Sequence, residues 1–147
     1  MHRVFVVEVE RCIACGKCEL ACAFAHGSPS RPARSRIHIV RRGPESGLPV
    51  VCLQCDHAAC VAACPVGALV RNEATGAIDV QRDRCVLCRH CVAACPFGNM
   101  LWDDGYHCVQ KCDLCGGEPR CVPFCPTGAL SYVPADRLAQ PAPAPGR

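Results

Sequence analysis

Sixteen cysteines, set in four tight groups along 147 residues, constrain this chain more than any other feature. The first group, Cys12, Cys15, Cys18 and Cys22, reads C-x2-C-x2-C-x3-C within CIACGKCELAC. The second, Cys52, Cys55, Cys60 and Cys64, reads C-x2-C-x4-C-x3-C-P. The third, Cys85, Cys88, Cys91 and Cys95, returns to C-x2-C-x2-C-x3-C-P. The fourth, Cys112, Cys115, Cys121 and Cys125, reads C-x2-C-x5-C-x3-C-P. Pro-x-Gly follows three of the groups, in CPVGALV, CPFGNML and CPTGALS, whereas Ala23 stands after Cys22. Cys108 is left outside the pattern.

An ordinary core is hard to build from the rest. Half of the residues count as apolar, but 17 of those are cysteine, 19 are alanine and only seven are aromatic. The thiols are therefore the candidates for holding the fold together. Disulfides need an oxidising compartment. The start of the chain, MHRVFVVEVERC, has no apolar signal stretch, small-residue cleavage site or twin-arginine pair. No apolar run approaches the ~20 residues of a membrane-spanning helix. A cytoplasmic, reducing location without membrane insertion is the expectation. Structural zinc prefers two close pairs across a longer loop. It gives no reason for three cysteines at successive three-residue spacing followed by a fourth and a proline. That run is the bacterial ferredoxin signature, in which the fourth cysteine serves the neighbouring iron–sulfur cluster.

The spacing also predicts local structure. A C-x2-C-x2-C loop wraps one cubane and turns backbone N–H groups toward its sulfurs. The C-x3-C step is one helical turn, so short helices should bridge Cys18–Cys22, Cys60–Cys64, Cys91–Cys95 and Cys121–Cys125. Proline then stops the helix and glycine permits a sharp turn into a strand. VFVVEVE (4–10), RIHIV (36–40) and GALSYV (128–133) read as strands, the last able to pair with the first. GALVRN and AIDV, across EATG, read as a hairpin. The fold class expected is α+β, with short strands and helices organised around clusters.

With these residues in view, the chain resembles the four-cluster, ferredoxin-like iron–sulfur subunits of molybdenum and tungsten oxidoreductases, carbon-monoxide dehydrogenase and related complexes. The resemblance covers residues 4 to 133 through CIACGKCELAC, RIHIV, PVVCLQCDHAACVAACPVGAL, CVLCRHCVAACPFG, KCDLC and CVPFCPTGAL. It implies two nested modules of two clusters each. The outer module comprises 1–48 with 106–133, the inner one 49–105, and 134–147 is a disordered Pro/Ala-rich tail. It also implies four [4Fe–4S] clusters. The first takes Cys12, Cys15, Cys18 and Cys125, and the second takes Cys112, Cys115, Cys121 and Cys22. The third takes Cys52, Cys55, Cys60 and Cys95, and the fourth takes Cys85, Cys88, Cys91 and Cys64.

The function so implied is non-catalytic: a relay of single electrons to or from a catalytic oxidoreductase subunit. A tungsten aldehyde-oxidoreductase-like enzyme is the first choice of partner. Carbon-monoxide dehydrogenase, formate dehydrogenase and hydrogenase complexes are alternatives, as is a free polyferredoxin; a zinc-stabilised interaction module is remote. A further acceptor subunit or ferredoxin would complete the path. Four cubanes at about −2 each would turn the formal +3 into about −5. Net charge then gives no support to nucleic-acid binding, and no aromatic platform accompanies the basic stretch.

Smaller features are read modestly. Cys108 is expected to behave as a small apolar residue. Five arginines in RPARSRIHIVRR would meet an acidic partner, offset cluster charge or be solvated. His57 and His90 lie inside cluster loops, where they are placed to bond sulfur. Phe97 and Trp102 are expected as apolar cover.

Overall fold

The computed structural model describes residues 3–139. Its strands are short and its sheets narrow: among the described residues every sheet has two strands. Strand β1 (Arg3–Val7) pairs antiparallel with β8 (Leu130–Pro134), from Arg3 opposite Pro134 to Val7 opposite Leu130, so the two ends of the described chain are zipped together. The guanidinium of Arg3 lies 4.7 Å from the centre of the Tyr132 ring, and Phe5 packs on the same ring. This pairing is the one expected between the first and last strands. β1 is shorter than expected, because Val9–Arg11 turns into a single 3-10 turn that delivers Cys12.

Helix α1 (Lys17–Ala25) carries Cys18 and Cys22. Next comes the hairpin of β2 (His38–Gly43) and β3 (Ser46–Val50), then the short helix α2 (Ala59–Ala62). The expected second hairpin is present as β4 (Leu69–Arg71) and β5 (Ile78–Val80). Helix α3 (His90–Ala94) follows, and a third hairpin joins β6 (Leu101–Asp103) to β7 (Cys108–Gln110).

Two expectations are corrected. The segment between Cys121 and Cys125 is a turn held by i to i−3 bonds, Val122 N–H to Pro119 O and Cys125 N–H to Val122 O, not an α-helix. Pro119 and Pro123 have no N–H to donate and leave too few bonds for a helical ladder. The tail expected to be disordered from Pro134 begins in order: Pro134 closes β8, and Ala135–Ala139 forms a 3-10 turn. The rest of that tail lies outside the described residues.

Cysteine takes the place of bulky side chains in the interior. Cys12, Cys18, Cys22 and Cys121 are buried in one core with Ile37, Ile39, Val51 and Leu130. Cys60 and Cys91 are buried in another with Leu69, Ile78, Met100 and Val109. The first and fourth groups thus share one core, and the second and third share the other.

Candidate iron–sulfur sites

Each cysteine group opens on the same backbone feature. The residue just before the second cysteine has a left-handed conformation in all four groups: Ala14 (φ 56°), Gln54 (φ 51°), Leu87 (φ 60°) and Leu114 (φ 56°). None is glycine, and a bulky residue is seldom found in that region. Such strain persists where the surroundings demand it, typically at a binding site. Left-handed turns after right-handed ones gather successive N–H groups into a concavity that suits an anion, iron–sulfur clusters included. After the fourth cysteine, Gly67, Gly98 and Gly128 occupy the same φ region, between 62° and 67°, and turn the chain toward its next segment.

The thiols gather around small spaces. Cys52, Cys55 and Cys60 share a cavity of about 80 Å³ with Cys95, which the C-terminal end of α3 delivers from the third group. Cys85, Cys88 and Cys91 share one of about 20 Å³ with Cys64 from the second group. In the other core, burial, then Glu19 and the charges of Cys15 and Cys125, push the Cys18 thiol up to about 11. Burial, then Cys112, Cys22 and Cys115, raise Cys121 further. Cys112, which burial pushes up to about 12, also feels Cys52 across the boundary between the two cores. Cys125 thus lies near enough to Cys18 for its charge to be felt there, and both Cys22 and Cys18 are felt at Cys121.

The fourth cysteines have a different environment. Burial raises Cys22, but a hydrogen bond from His26 and the Arg36 N–H, 3.2 Å from its sulfur, outweigh it. Cys64 is lowered by the Ala68 N–H at 3.2 Å. In Cys125 the N–H of Leu130 and the Thr127 side chain outweigh burial. The Asn99 N–H reaches Cys95 at 3.4 Å. Buried thiols held above neutrality are poor free nucleophiles. As ligands they surrender the proton to the metal, and N–H donors then share the sulfur's charge. Four thiols around each of two spaces, with N–H donors on sulfur, are the donor chemistry of an iron–sulfur cluster.

The scan for known families agrees with this chemistry. Residues 46–134 match the 4Fe-4S dicluster domain, and residues 9–25 match a 4Fe-4S binding domain. The chain belongs to the 4Fe-4S dicluster family. It binds [4Fe–4S] clusters, and its 17 cysteines suffice for several. Among curated relatives, the electron transport protein HydN of Escherichia coli (strain K12) is 33% identical, over 95% of this chain and 93% of that one. The aliphatic sulfonate oxidoreductase polyferredoxin-like subunit of Pyrococcus furiosus is 38% identical, over 84% of this chain and 72% of that one. Other relatives are much longer: the chain spans 28% of the NADH-dependent phenylglyoxylate dehydrogenase subunit beta of Aromatoleum evansii. Among solved structures, the active site complex BamBC of benzoyl coenzyme A reductase has the same fold at a TM-score of 0.50 and 23% identity, covering 93% of this chain and 83% of that one.

Other side chains at the sites were not singled out from the sequence. His26, one turn beyond the expected bridge, lies between two groups. Its Nδ1 is 3.0 Å from the Cys22 carbonyl and 3.7 Å from the Cys22 sulfur, and its Nε2 is 3.0 Å from Asp113 Oδ1 and 3.9 Å from the Cys115 sulfur. Arg36 clamps the other Asp113 oxygen at 2.8 Å. The Asp113 carboxylate, then Cys115 and Cys22, hold the imidazole up to about 12.

The arginines of 31–42 are largely used within the molecule. The Arg34 N–H donates to Asp103, its guanidinium donates to the Trp102 carbonyl, Arg36 binds Asp113 and Gln110, and Arg41 binds Glu19. His57 and Phe97 line the cavity of Cys52. Trp102 packs against the core of Cys60 and Cys91, and its ring also lies under the Arg89 guanidinium at 3.7 Å. Cys108 sits on β7, half-buried, with Gln110 Nε2 3.6 Å from its sulfur.

Proposed function

We propose that this chain is a non-catalytic electron-transfer subunit that relays single electrons through four [4Fe–4S] clusters to or from a catalytic oxidoreductase subunit. The observation that carries the reading is the left-handed residue repeated before the second cysteine of all four groups, together with the four thiols that line each of two cavities in the second core. Bound clusters supply the one-electron chemistry. The chain contributes position, shielding and charge. Cys12, Cys15, Cys18 and Cys125 would hold one cluster and Cys112, Cys115, Cys121 and Cys22 the second. Cys52, Cys55, Cys60 and Cys95 would hold the third and Cys85, Cys88, Cys91 and Cys64 the fourth.

On this reading the fold comprises an outer module, 1–48 with 106–133, around an inner one, 49–105. One division falls in the turn between β6 and β7, and the other lies within β3 (Ser46–Val50). The names of the relatives, an electron transport protein and subunits of oxidoreductases, support the role. For the partner we assign a tungsten aldehyde-oxidoreductase-like subunit first, with formate or carbon-monoxide dehydrogenase or hydrogenase as the alternatives. The match along nearly the whole of HydN favours, as a second reading, a carrier without a permanent partner.

The test is an anaerobic preparation assayed for iron, sulfide and stepwise reduction. About sixteen irons per chain and four separately reducible centres are expected. Replacing Cys125 by Ser should alter the centre of the first group and leave the other three. Zinc without iron, or a Cys125→Ser change confined to the fourth group's own centre, would overturn the reading. Co-purification with a large subunit containing tungsten or molybdenum decides the partner.

A further inference from the structure

A buried lysine stands where the two cores meet. Lys111 is 3% exposed and connects β7 to Cys112. Its Nζ has three hydrogens and three acceptors, each at 2.8 Å: Gln54 Oε1, the Ile78 carbonyl and the Cys112 carbonyl. Gln54, itself 9% exposed and between Cys52 and Cys55, completes the junction. Its Nε2 donates to the Cys112 carbonyl at 2.7 Å, and its Oε1 accepts from Ile78 N–H at 2.9 Å. Every hydrogen of the ammonium is used.

No carboxylate neutralises it. Asp79 and Asp113 line the adjoining cleft, but Asp79 bonds Asn72, Asp113 bonds His26 and Arg36, and neither forms an ion pair with Lys111 among the described residues. A buried charge without a counter-charge is strongly disfavoured in a low-dielectric interior. What surrounds this one is thiol. Lys111 lines the cavity shared by Cys52, Cys55, Cys60 and Cys95, and it adjoins Cys112 in the chain. Anionic clusters on both sides would supply the missing negative charge. The relation is reciprocal: a cation that needs those anions also favours one more electron on either of them.

We infer that Lys111 is a potential-setting residue for the two adjoining clusters, those of Cys112, Cys115, Cys121, Cys22 and of Cys52, Cys55, Cys60, Cys95, and that it eases the electron's crossing between the cores. This rests on the ligand sets proposed above. The test is an EPR-monitored redox titration of the iron-loaded full chain and its Lys111→Met variant, with Cys115→Ser and Cys55→Ser marking which signals belong to the two clusters. Both marked midpoints fall in Lys111→Met, the other two stay, and Lys111→Arg restores the parent values.

Four unmoved midpoints, one moved alone, or a common shift of all four would overturn the inference. Iron well short of about sixteen in the parent chain would sink the ligand sets and this inference with them, whereas full iron with unmoved midpoints sinks the inference alone. If Lys111→Met does not load, Gln54→Glu carries the same test. It sets a carboxylate against the ammonium, and the same two midpoints should fall.

Discussion

His26 holds a position that no spacing rule points to. Both ring nitrogens face oxygen acceptors at 3.0 Å, and each has a cysteine sulfur within 4 Å, Cys22 from the first group and Cys115 from the fourth. Asp113 and Arg36 fix the ring from behind. A donor against cluster thiolates draws charge from the sulfur and favours the reduced state. His26→Leu should therefore lower the midpoint of one centre, that of Cys22, Cys112, Cys115 and Cys121. His57→Leu should leave that centre alone. Four midpoints measured by EPR in each variant check both statements; a fall in a different centre contradicts the assignment. In the sequence His26 was one histidine among six. Its importance comes from Asp113, 87 residues away, and only tertiary structure brings the two together.

At the scale of the element, the cysteine loops were legible and their strain was not. Spacing located all sixteen thiols, but it said nothing of Gln54, Leu87 or Leu114 as left-handed residues, because glycine, which usually marks that conformation, is absent there. Leu87 offers a test, being partly exposed and free of the Lys111 junction. Leu87→Gly relieves strain but loosens the unfolded chain, so stability should stay within about 0.5 kcal/mol. Leu87→Val adds a branched Cβ to a disfavoured φ and should cost about 1 kcal/mol. The half-time of bleaching under an iron chelator should shorten for Val and not for Gly.

Two hairpins also escaped the sequence reading, each for a physical reason. In β3, Gly47 and Pro49 look like loop residues, yet Gly47 is required there: a Cβ would come within 2.5 Å of Ile39 Cγ2 and 3.4 Å of the Cys12 sulfur. In β6 and β7, Asp103 and Gln110 are buried polar residues at 4% and 3% exposure, which breaks the apolar alternation by which strands are recognised. Hydrogen bonds from the Arg34 N–H, the Arg36 guanidinium and Gln110 itself make that burial tolerable.

For the whole molecule, the question is what keeps so little regular structure folded. A two-stranded sheet is marginal in water by itself, and among the described residues there are four, with strands of three to six residues. The zipped ends and the hairpins need something rigid to pack against. The two cores supply few large side chains, and the fully buried ones are Ile37, Ile78 and Val109. Six of the sixteen thiols are buried among them. Without metal, burial favours the protonated state at Cys18, Cys112 and Cys121, and the cavities lose whatever bound them together. Iron loss and unfolding should therefore be one event. Chelation under anaerobic, reducing conditions should erase the visible absorption and the far-ultraviolet circular dichroism along the same curve, as in other domains whose binding energy is their folding energy. Iron and sulfide returned with a thiol reductant should restore both signals together. A colourless chain that kept its dichroism and its compact radius after chelation would mean that side-chain packing suffices, and the cysteines would then have to be explained by electron transfer alone.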